Sequence, residues 1–309
     1  MSSRYGRSLK ALAAFALKAR LLGQKIPLIA SVKLTYRCNL ACRACPFHQH
    51  GQENTPHMDW ETALESLRKL RQRGCLIVIF EGGEPFLWSD SGHDLRDLVS
   101  TAQEYFPCVG VTTNGTFGCD VPSDVLWVSI DGLEETHNFL RSNSYSRVRQ
   151  ALSASRHRNL FLHYTLNRLN WREFPACAQD ARTLPAVKGI TVQIFYPYGQ
   201  GEDDLALSPD ERKQALMSVM DLKKSGYPIK NSSWSLKAMV TGNWRCHDWL
   251  LANVELDGTI EQGCYVLRRG KVDCSRCGFT PVAEASGAFS LVPGSLKAGM
   301  SLFFPSFVP

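Results

Sequence analysis

Cys38, Cys42 and Cys45 lie in the run Tyr36-Arg37-Cys38-Asn39-Leu40-Ala41-Cys42-Arg43-Ala44-Cys45, directly after an apolar stretch that reads as a β-strand. At intervals of four and three they offer three thiolates to one metal centre and leave it a ligand short. Iron–sulfur clusters ordinarily take four cysteines, and an open coordination position is where metal chemistry happens. A second group, Cys246, Cys264, Cys274 and Cys277, supplies four thiolates and closes with Cys-x2-Cys. Four soft ligands fit either structural zinc or a fully ligated iron–sulfur cluster. Between the first two, Asp257-Gly258 marks a hairpin turn. Cys75, Cys108, Cys119 and Cys177 are scattered through apolar or loop sequence and read as buried small hydrophobes. Eleven cysteines in 309 residues do not make a small disulfide scaffold. The division into spaced groups points to a reducing cytoplasm with metal-bound thiolates.

These side chains must be positioned by a larger framework. Leu28–Tyr36, Cys75–Phe80, Cys108–Thr113, Val125–Ile130, Leu160–Leu166 and Ile190–Tyr196 read as six strands, most of them near-continuous in Val, Ile, Leu and Phe as parallel strands covered on both faces are. Trp60–Arg73, His93–Tyr105, Val148–Arg156 and Trp171–Thr183 carry helical spacing between them. Asp59 and Ser208 are expected N-caps, with Pro209 opening the helix Pro209–Ser225. Six βα units in series imply a right-handed parallel barrel or open sheet, in which ligands gather at the carboxyl ends of the strands. The trio sits there after strand one, Glu81-Gly82-Gly83-Glu84-Pro85 after strand two, Thr113-Asn114-Gly115-Thr116 after strand three and Ser129-Ile130-Asp131-Gly132 after strand four.

The net charge of +6 resides in one terminal segment. Residues 1–25 carry Arg4, Arg7, Lys10, Lys18, Arg20 and Lys25 with no acidic residue, so no nucleic-acid partner is expected for the balanced remainder. At 100° per residue Leu9, Leu12, Phe15, Ala16, Ala19 and Leu22 gather on one side of a helix. Such a helix either packs on the domain or lies on anionic lipid. Its apolar run stops at Lys18, unlike a secretory signal, and no stretch of eighteen apolar residues spans a membrane. From about Gly226 the alternation gives way to short loops around Trp234, Trp244 and Trp249. Residues 278–309 are rich in phenylalanine (Phe279, Phe289, Phe303, Phe304 and Phe307) and would cap the barrel, dock on a partner or meet lipid.

Cys-x3-Cys-x2-Cys after the first strand and Gly-Gly-Glu-Pro after the second resemble the radical S-adenosylmethionine (radical SAM) superfamily over roughly residues 28–200. The resemblance implies an α/β fold, a partial (β/α)6 TIM-like barrel with a small C-terminal cysteine-rich iron–sulfur domain. It implies a [4Fe–4S] cluster on the trio whose open iron binds SAM and reductively cleaves it to a 5′-deoxyadenosyl radical, which abstracts hydrogen from an unactivated carbon. Gly82, Gly83, Glu84 and Pro85 would then bind the methionine amino group and Arg141 its carboxylate. Ser129, Thr113, Asn114 and Gln193 would border the cofactor. The second cysteine group resembles the one-cluster twitch form of the SPASM/twitch extension, which implies an auxiliary [4Fe–4S] cluster. The implied domains are 1–27, a basic amphipathic helix; 28–225, the core; 226–278, the auxiliary-cluster domain; and 279–309, an apolar tail.

Where many members carry an aromatic residue before the third cysteine, this chain has Ala44, with Phe47 as a substitute. Ala44 and the lead-in Leu17-Lys18-Ala19-Arg20-Leu21-Leu22-Gly23 are similar to the adenosyl-hopene transferase branch. The expected substrate is a small, lipid- or isoprenoid-like molecule and the expected electron donor a flavodoxin- or ferredoxin-type protein. Localisation is expected to be cytoplasmic, peripheral on the inner membrane face. Peptide or protein maturation is the alternative, against which stand only 27 residues before strand one; radical dehydrogenation of a small molecule is a third, and an iron–sulfur electron carrier the non-enzyme reading. His48, His50, His57 and His247 read as loop residues. Glu81, Asp131 and Asp248 are undistinguished acid–base candidates, and Cys108 or Cys119 would be the thiol able to quench a radical.

Overall fold

A computed structural model describes residues 2–43, 45, 57–197, 202–268 and 273–305. Six parallel strands follow one another in the chain: β1 (Ile29–Thr35), β2 (Ile77–Gly82), β3 (Cys108–Thr113), β4 (Val125–Ser129), β5 (Leu160–Leu166) and β6 (Val187–Ile194). Each lies within about three residues of its expected span. Beyond β1 the sheet continues with β7 (Leu251–Val254), parallel to β1, and β8 (Ile260–Gln262), antiparallel to β7, giving the order β8-β7-β1-β2-β3-β4-β5-β6.

The strands obey a period of two that their apolar composition conceals. Ala30, Val32 and Leu34, Val78 and Phe80, Leu126 and Val128, and Ile190 and Val192 face outward into one continuous core. That core includes Leu67 and Leu70 of α2 (Trp60–Gln72) and Leu98 and Val99 of α3 (Leu95–Tyr105). The alternate residues turn inward and line a lumen. Asp59 caps α2 through Thr62 N at 2.7 Å, as its position implies. Helix α3 starts two residues later than its periodicity indicates, because Asp94 caps it in a capping box with Asp97 while His93–Asp94 pairs with Ser89–Asp90. Short α4 (Glu134–Leu140) was not foreseen; α5 (Tyr145–Ala154), α6 (Phe174–Ala181) and α7 (Pro209–Lys224) match expected segments.

Three terminal features add detail to the expectations or depart from them. First, α1 (Ser2–Ala16) runs into a π-helical turn at Leu17–Leu21. The extra residue per turn rotates everything beyond it. Ala11, Leu12 and Phe15 pack against the strand ends and Ala19 is buried, whereas Leu9 and Leu22, assigned to the same face, are exposed. Second, residues 226–278 hold the helix α8 (Ser233–Thr241) and the parallel strand β7 rather than loops alone. Third, the phenylalanine-rich tail forms α9 (Thr280–Phe289) and α10 (Pro293–Phe303), and it caps the barrel. Leu302 and Phe303 pack on Val125, Trp127 and Phe161, while Val282 and Phe304 pack on Ile29, Ile77 and Cys108, plugging the lumen at the amino ends of the strands.

The free edge of β6 is also covered. Asn231 accepts from Val192 N at 2.8 Å and donates to Val192 O at 3.0 Å, and Ile194 N donates to Gly278 O at 3.0 Å.

Candidate functional site

A cavity of about 700 Å³ fills the lumen and reaches both cysteine groups. All seven cysteines of the trio and tetrad line it, as do Gly82, Gly83, Thr113, Asn114, Ser129, Arg141 and Gln193; of the expected cofactor contacts only Glu84 and Pro85 do not. The inward residues at the carboxyl ends are polar, among them Ser31, Glu81, Thr112, His163, Thr165 and Thr191. Toward the plug they become apolar: Trp127, Trp244, Phe279, Met300, Leu302 and Phe303.

The trio is held by its neighbours. Cys42 is buried and its thiol is pushed up to about 12, first by burial; Arg141 opposes this, and Cys45, Cys38 and Asp131 add to it. Burial also raises Cys38, whose Sγ accepts from Asn114 Nδ2 at 3.7 Å. The three thiols are near enough for each to influence its neighbours' charge, and all three line the cavity. Three thiolates are the soft donor set that an iron–sulfur cluster takes, although among the described residues no three His, Cys, Asp or Glu side chains close on a single ion. Loading it releases protons from thiols with raised pKa values.

Gly82 and Gly83 let the second loop lie directly on the first. A Cβ at Gly82, where φ is +131°, would stand 2.4 Å from Thr35 O, and one at Gly83 2.2 Å from Arg37 O. Gly83 N donates to Thr35 O at 2.6 Å and Glu84 N to Arg37 O at 2.8 Å. The Glu84 carboxylate, expected to meet an ammonium group, instead faces β3. It accepts from Thr113 Oγ1 and Asn114 N, each at 2.7 Å, and from Phe86 N at 3.2 Å. Complete burial pushes its pKa up to about 7 against those bonds. Glu84 is therefore a clamp between the second and third strand ends, and the backbone of Gly82 and Gly83 is what faces the cavity.

Arg141 follows α4 and donates from Nε to Asp131 Oδ2 at 2.6 Å. Desolvation opposes its charge, but Asp131 and Cys42 outweigh it and raise its pKa. Asp131 is itself fixed by Thr165 N at 2.9 Å, which makes it a positioning group for Arg141 rather than a free acid–base residue. Gln193 Nε2 donates to Thr165 Oγ1 at 3.2 Å. Glu81 lines the cavity and accepts from Ser31; Asp248 opens a 3-10 turn and does not line it.

At the tetrad, Cys264 is buried, Cys277 partly so, and Cys246 and Cys274 are exposed. Cys246 is raised to about 12 by desolvation, then by Asp248, Cys277, Cys264 and Cys274, so the other three thiols of the tetrad are all near enough to influence it. The Asp257-Gly258 turn folds back as expected, with Gly258 at φ +78°. Sequence reasoning missed Arg212 on α7, whose guanidinium donates to Met239 O at 2.9 Å, Arg276 O at 3.1 Å and Cys277 O, holding the closing Cys-x2-Cys turn. It also missed Lys33, which is buried on β1 and pairs with Glu255 at 2.9 Å, while Tyr36 donates to Glu255 at 2.8 Å. A lone lysine in an apolar strand and one arginine within the charged run Asp210-Glu211-Arg212-Lys213 carry no signal of such partners.

Cys75, Cys108, Cys119 and Cys177 are buried among apolar side chains, and neither Cys108 nor Cys119 lines the cavity. His57 pairs with Thr35 in a β-bridge, and His247 N donates to Ser286 Oγ at 2.9 Å, both structural. Ala44, Phe47, His48 and His50 lie outside the described residues.

A family model described as the Radical SAM superfamily matches residues 32–181. Among curated proteins, the chain is 26% identical over 247 residues to the Fe-coproporphyrin III synthase of Methanosarcina barkeri, across 74% of this chain and 59% of that one. It is 28% identical over 128 residues to the sporulation killing factor maturation protein SkfB of Bacillus subtilis, across 39% and 30%. The chain thus spans about three fifths of the first relative and less than a third of the second. Among solved structures, Streptococcus suis SuiB bound to its precursor peptide SuiA superposes with a TM-score of 0.61 at 12% identity, covering 89% of this chain and 67% of that one. The peptide- and AdoMet-bound anSMEcpe gives 0.58 at 16% identity, covering 92% and 84%. These two likenesses establish the fold.

Proposed function

Because the chain belongs to the radical SAM superfamily through residues 32–181, whose members bind a [4Fe–4S] cluster and SAM, we propose that it removes a hydrogen atom from an unactivated carbon of an apolar, lipid- or isoprenoid-like molecule held in its barrel. The single observation carrying this reading is the cavity, polar beside the cysteine trio and apolar from Trp127 to Met300 and Phe303. When bound on Cys38, Cys42 and Cys45, the cluster supplies the electron that cleaves SAM to the 5′-deoxyadenosyl radical.

The chain's own residues bind and orient. Arg141, with Nε fixed by Asp131, offers its remaining N–H groups to the SAM carboxylate. The backbone of Gly82 and Gly83 accepts from the ammonium group, and Glu84 with Pro85 holds that backbone in place. Thr113, Asn114, Ser129 and Gln193 border the cofactor. The plug of α9 and α10 excludes water from the far side.

Cys246, Cys264, Cys274 and Cys277 would hold an auxiliary [4Fe–4S] cluster. Its segment, 226–278, follows the core at 28–225, between the helix of 1–27 and the capping tail of 279–309. A flavodoxin- or ferredoxin-type protein is the proposed donor. Exposed Leu9, Leu17, Leu21 and Leu22 beside Lys10 and Lys18 support contact with the anionic inner membrane face; no helix among the described residues is long and apolar enough to cross a membrane.

Anaerobically reconstituted, reduced protein is expected to release 5′-deoxyadenosine from SAM, and Cys42→Ala to release none. Lipid extracts from a deletion strain should raise that release and yield a modified lipid. Stimulation by peptides instead would favour maturation, the reading supported by the peptides bound to SuiB and anSMEcpe.

A further inference from the structure

Residues two apart on a strand turn the same way, so the inward side chains of neighbouring strands stack in tiers. Trp127 of β4 lies beside Phe161 of β5 in an apolar tier packed on the plug. Two residues on, Ser129 of β4, His163 of β5 and Thr191 of β6 are neighbours, and all three line the cavity. Beyond them Asp131, held by Thr165 N, carries Arg141. His163 therefore stands where the lumen changes from apolar to polar. Its Nδ1 lies 3.1 Å from Thr191 Oγ1, and that hydroxyl donates its one hydrogen to Leu162 O at 3.2 Å. Both contacts hold together only if Nδ1 carries the proton and donates, which leaves Nε2 with a lone pair and no hydrogen.

Nε2 has no hydrogen-bond partner among the described residues, yet it is not sealed off, because His163 is only half-buried and lines the cavity. Burial depresses the His163 pKa to about 4, with Asp131 opposing and Arg141 assisting, so the ring is neutral. A desolvated acceptor is costly to leave unmet, and its surroundings narrow what meets it. Arg141 on one side and Lys230, whose ammonium group lies over the Phe161 ring at 5.4 Å, disfavour a cation. A lone pair repels a carboxylate. A neutral hydroxyl suits both conditions. We infer, on the footing of the apolar substrate proposed above, that His163 Nε2 accepts a hydrogen bond from a hydroxyl group of that substrate. With the apolar part of the molecule against Trp127, a hydroxyl held at His163 fixes how far the rest extends toward the cysteine trio. His163 thereby selects both a hydroxylated substrate and the carbon it presents.

The test titrates cyclooctanol and cyclooctanone, one ring with a hydrogen to donate and the same ring without, into the full, anaerobically reconstituted protein with SAM present, read by calorimetry. Wild type should bind the alcohol at least about fivefold more tightly than the ketone, the equivalent of one hydrogen bond. His163→Phe and His163→Leu, one keeping a ring and the other leaving room, should each bind the two probes alike. His163→Gln, whose amide oxygen reaches the place of Nε2, should restore a preference of at least about threefold. A folding defect weakens both probes together and leaves their ratio unchanged, so the ratio alone reports on Nε2. Equal binding of the two by wild type, an undiminished ratio in His163→Phe or His163→Leu, or a Gln variant as indifferent as those two would overturn the role of His163 and leave the apolar-substrate reading standing. If neither probe binds wild type, the apolar-substrate reading itself fails, and the hydroxyl site fails with it.

Discussion

Gly83→Ala is the sharpest test of how the two cofactor loops are joined. The new Cβ would stand 2.2 Å from Arg37 O and 2.7 Å from Tyr36 C and O. All three are backbone atoms, so no side-chain rotation relieves the overlap, and the loops must part by more than about 1 Å to regain ordinary contact. That displacement breaks Gly83 N to Thr35 O, at 2.6 Å, and Glu84 N to Arg37 O, at 2.8 Å. Two backbone bonds at about 1 kcal/mol each give a loss of about 2 kcal/mol. The Glu84 side chain stays pinned to Thr113 and Asn114, so the movement reaches the third strand end as well. Urea unfolding of the metal-free, reduced protein should show a lower midpoint with an unchanged slope. Calorimetry on the cluster-loaded protein should show SAM affinity down by at least about tenfold, the equivalent of about 1.4 kcal/mol. Gly299→Ala is the matched control: it lies within α10, its added Cβ meets nothing within 4 Å, and it should stabilise by about 0.5–1 kcal/mol. A Gly83→Ala protein within about 0.5 kcal/mol of wild type that binds SAM normally would refute the proposed loop junction.

Burial depresses His137 and His163 to about 4 from 6.5, and it raises Glu84 to about 7 from 4.5. The histidines contribute stability that is full above pH 6.5 and lost as pH falls toward 4, whereas the Glu84 contribution is full below 4.5 and lost as pH rises through 7. Between pH 6 and 5 the three together should cost about 1 kcal/mol of stability; Glu84→Gln should steepen that loss by about as much again, and parallel stability–pH curves would refute the assignment. Asn114→Leu removes the amide beside Cys38 Sγ; losing about 1 kcal/mol of hydrogen bonding should lower the trio cluster's one-electron potential by about 40 mV in an EPR-monitored titration, and an unmoved potential counts against that contact. Arg212→Ala frees the closing Cys-x2-Cys turn, so iron analysis should show about half the iron lost with SAM cleavage retained; full iron content would remove Arg212 from that role.

Most of the strand framework was legible because parallel strands buried by helices need long apolar runs, and these survive in one sequence without context. Caps were legible for a similar local reason: Asp59 and Ser208 satisfy amides three residues away. Leu22 was misassigned because one π-turn changes the angular bookkeeping of every later residue in the helix; Leu9, which precedes that turn, has no such explanation. The tail helices were opaque as helices. With core on several sides, α9 and α10 carry no clean polar face, and their pattern is apolar almost throughout.

By itself the sequence determined the inventory: three thiols with one position open, four thiols that close, a glycine-rich second loop and an arginine after strand four. Local spacing suffices for these because the trio, the glycine-rich loop and the closing Cys-x2-Cys are each drawn from a short stretch. Only the tertiary structure decided how the inventory is deployed. It joined Glu84 to the third strand end rather than to the cavity, tied Arg141 to Asp131, and laid β7 along β1 so that Lys33 meets Glu255 from 222 residues away. Those outcomes depend on which strand edge and which barrel end are left for the C-terminal chain to cover, and the physics deciding that is the burial of surfaces remote in sequence.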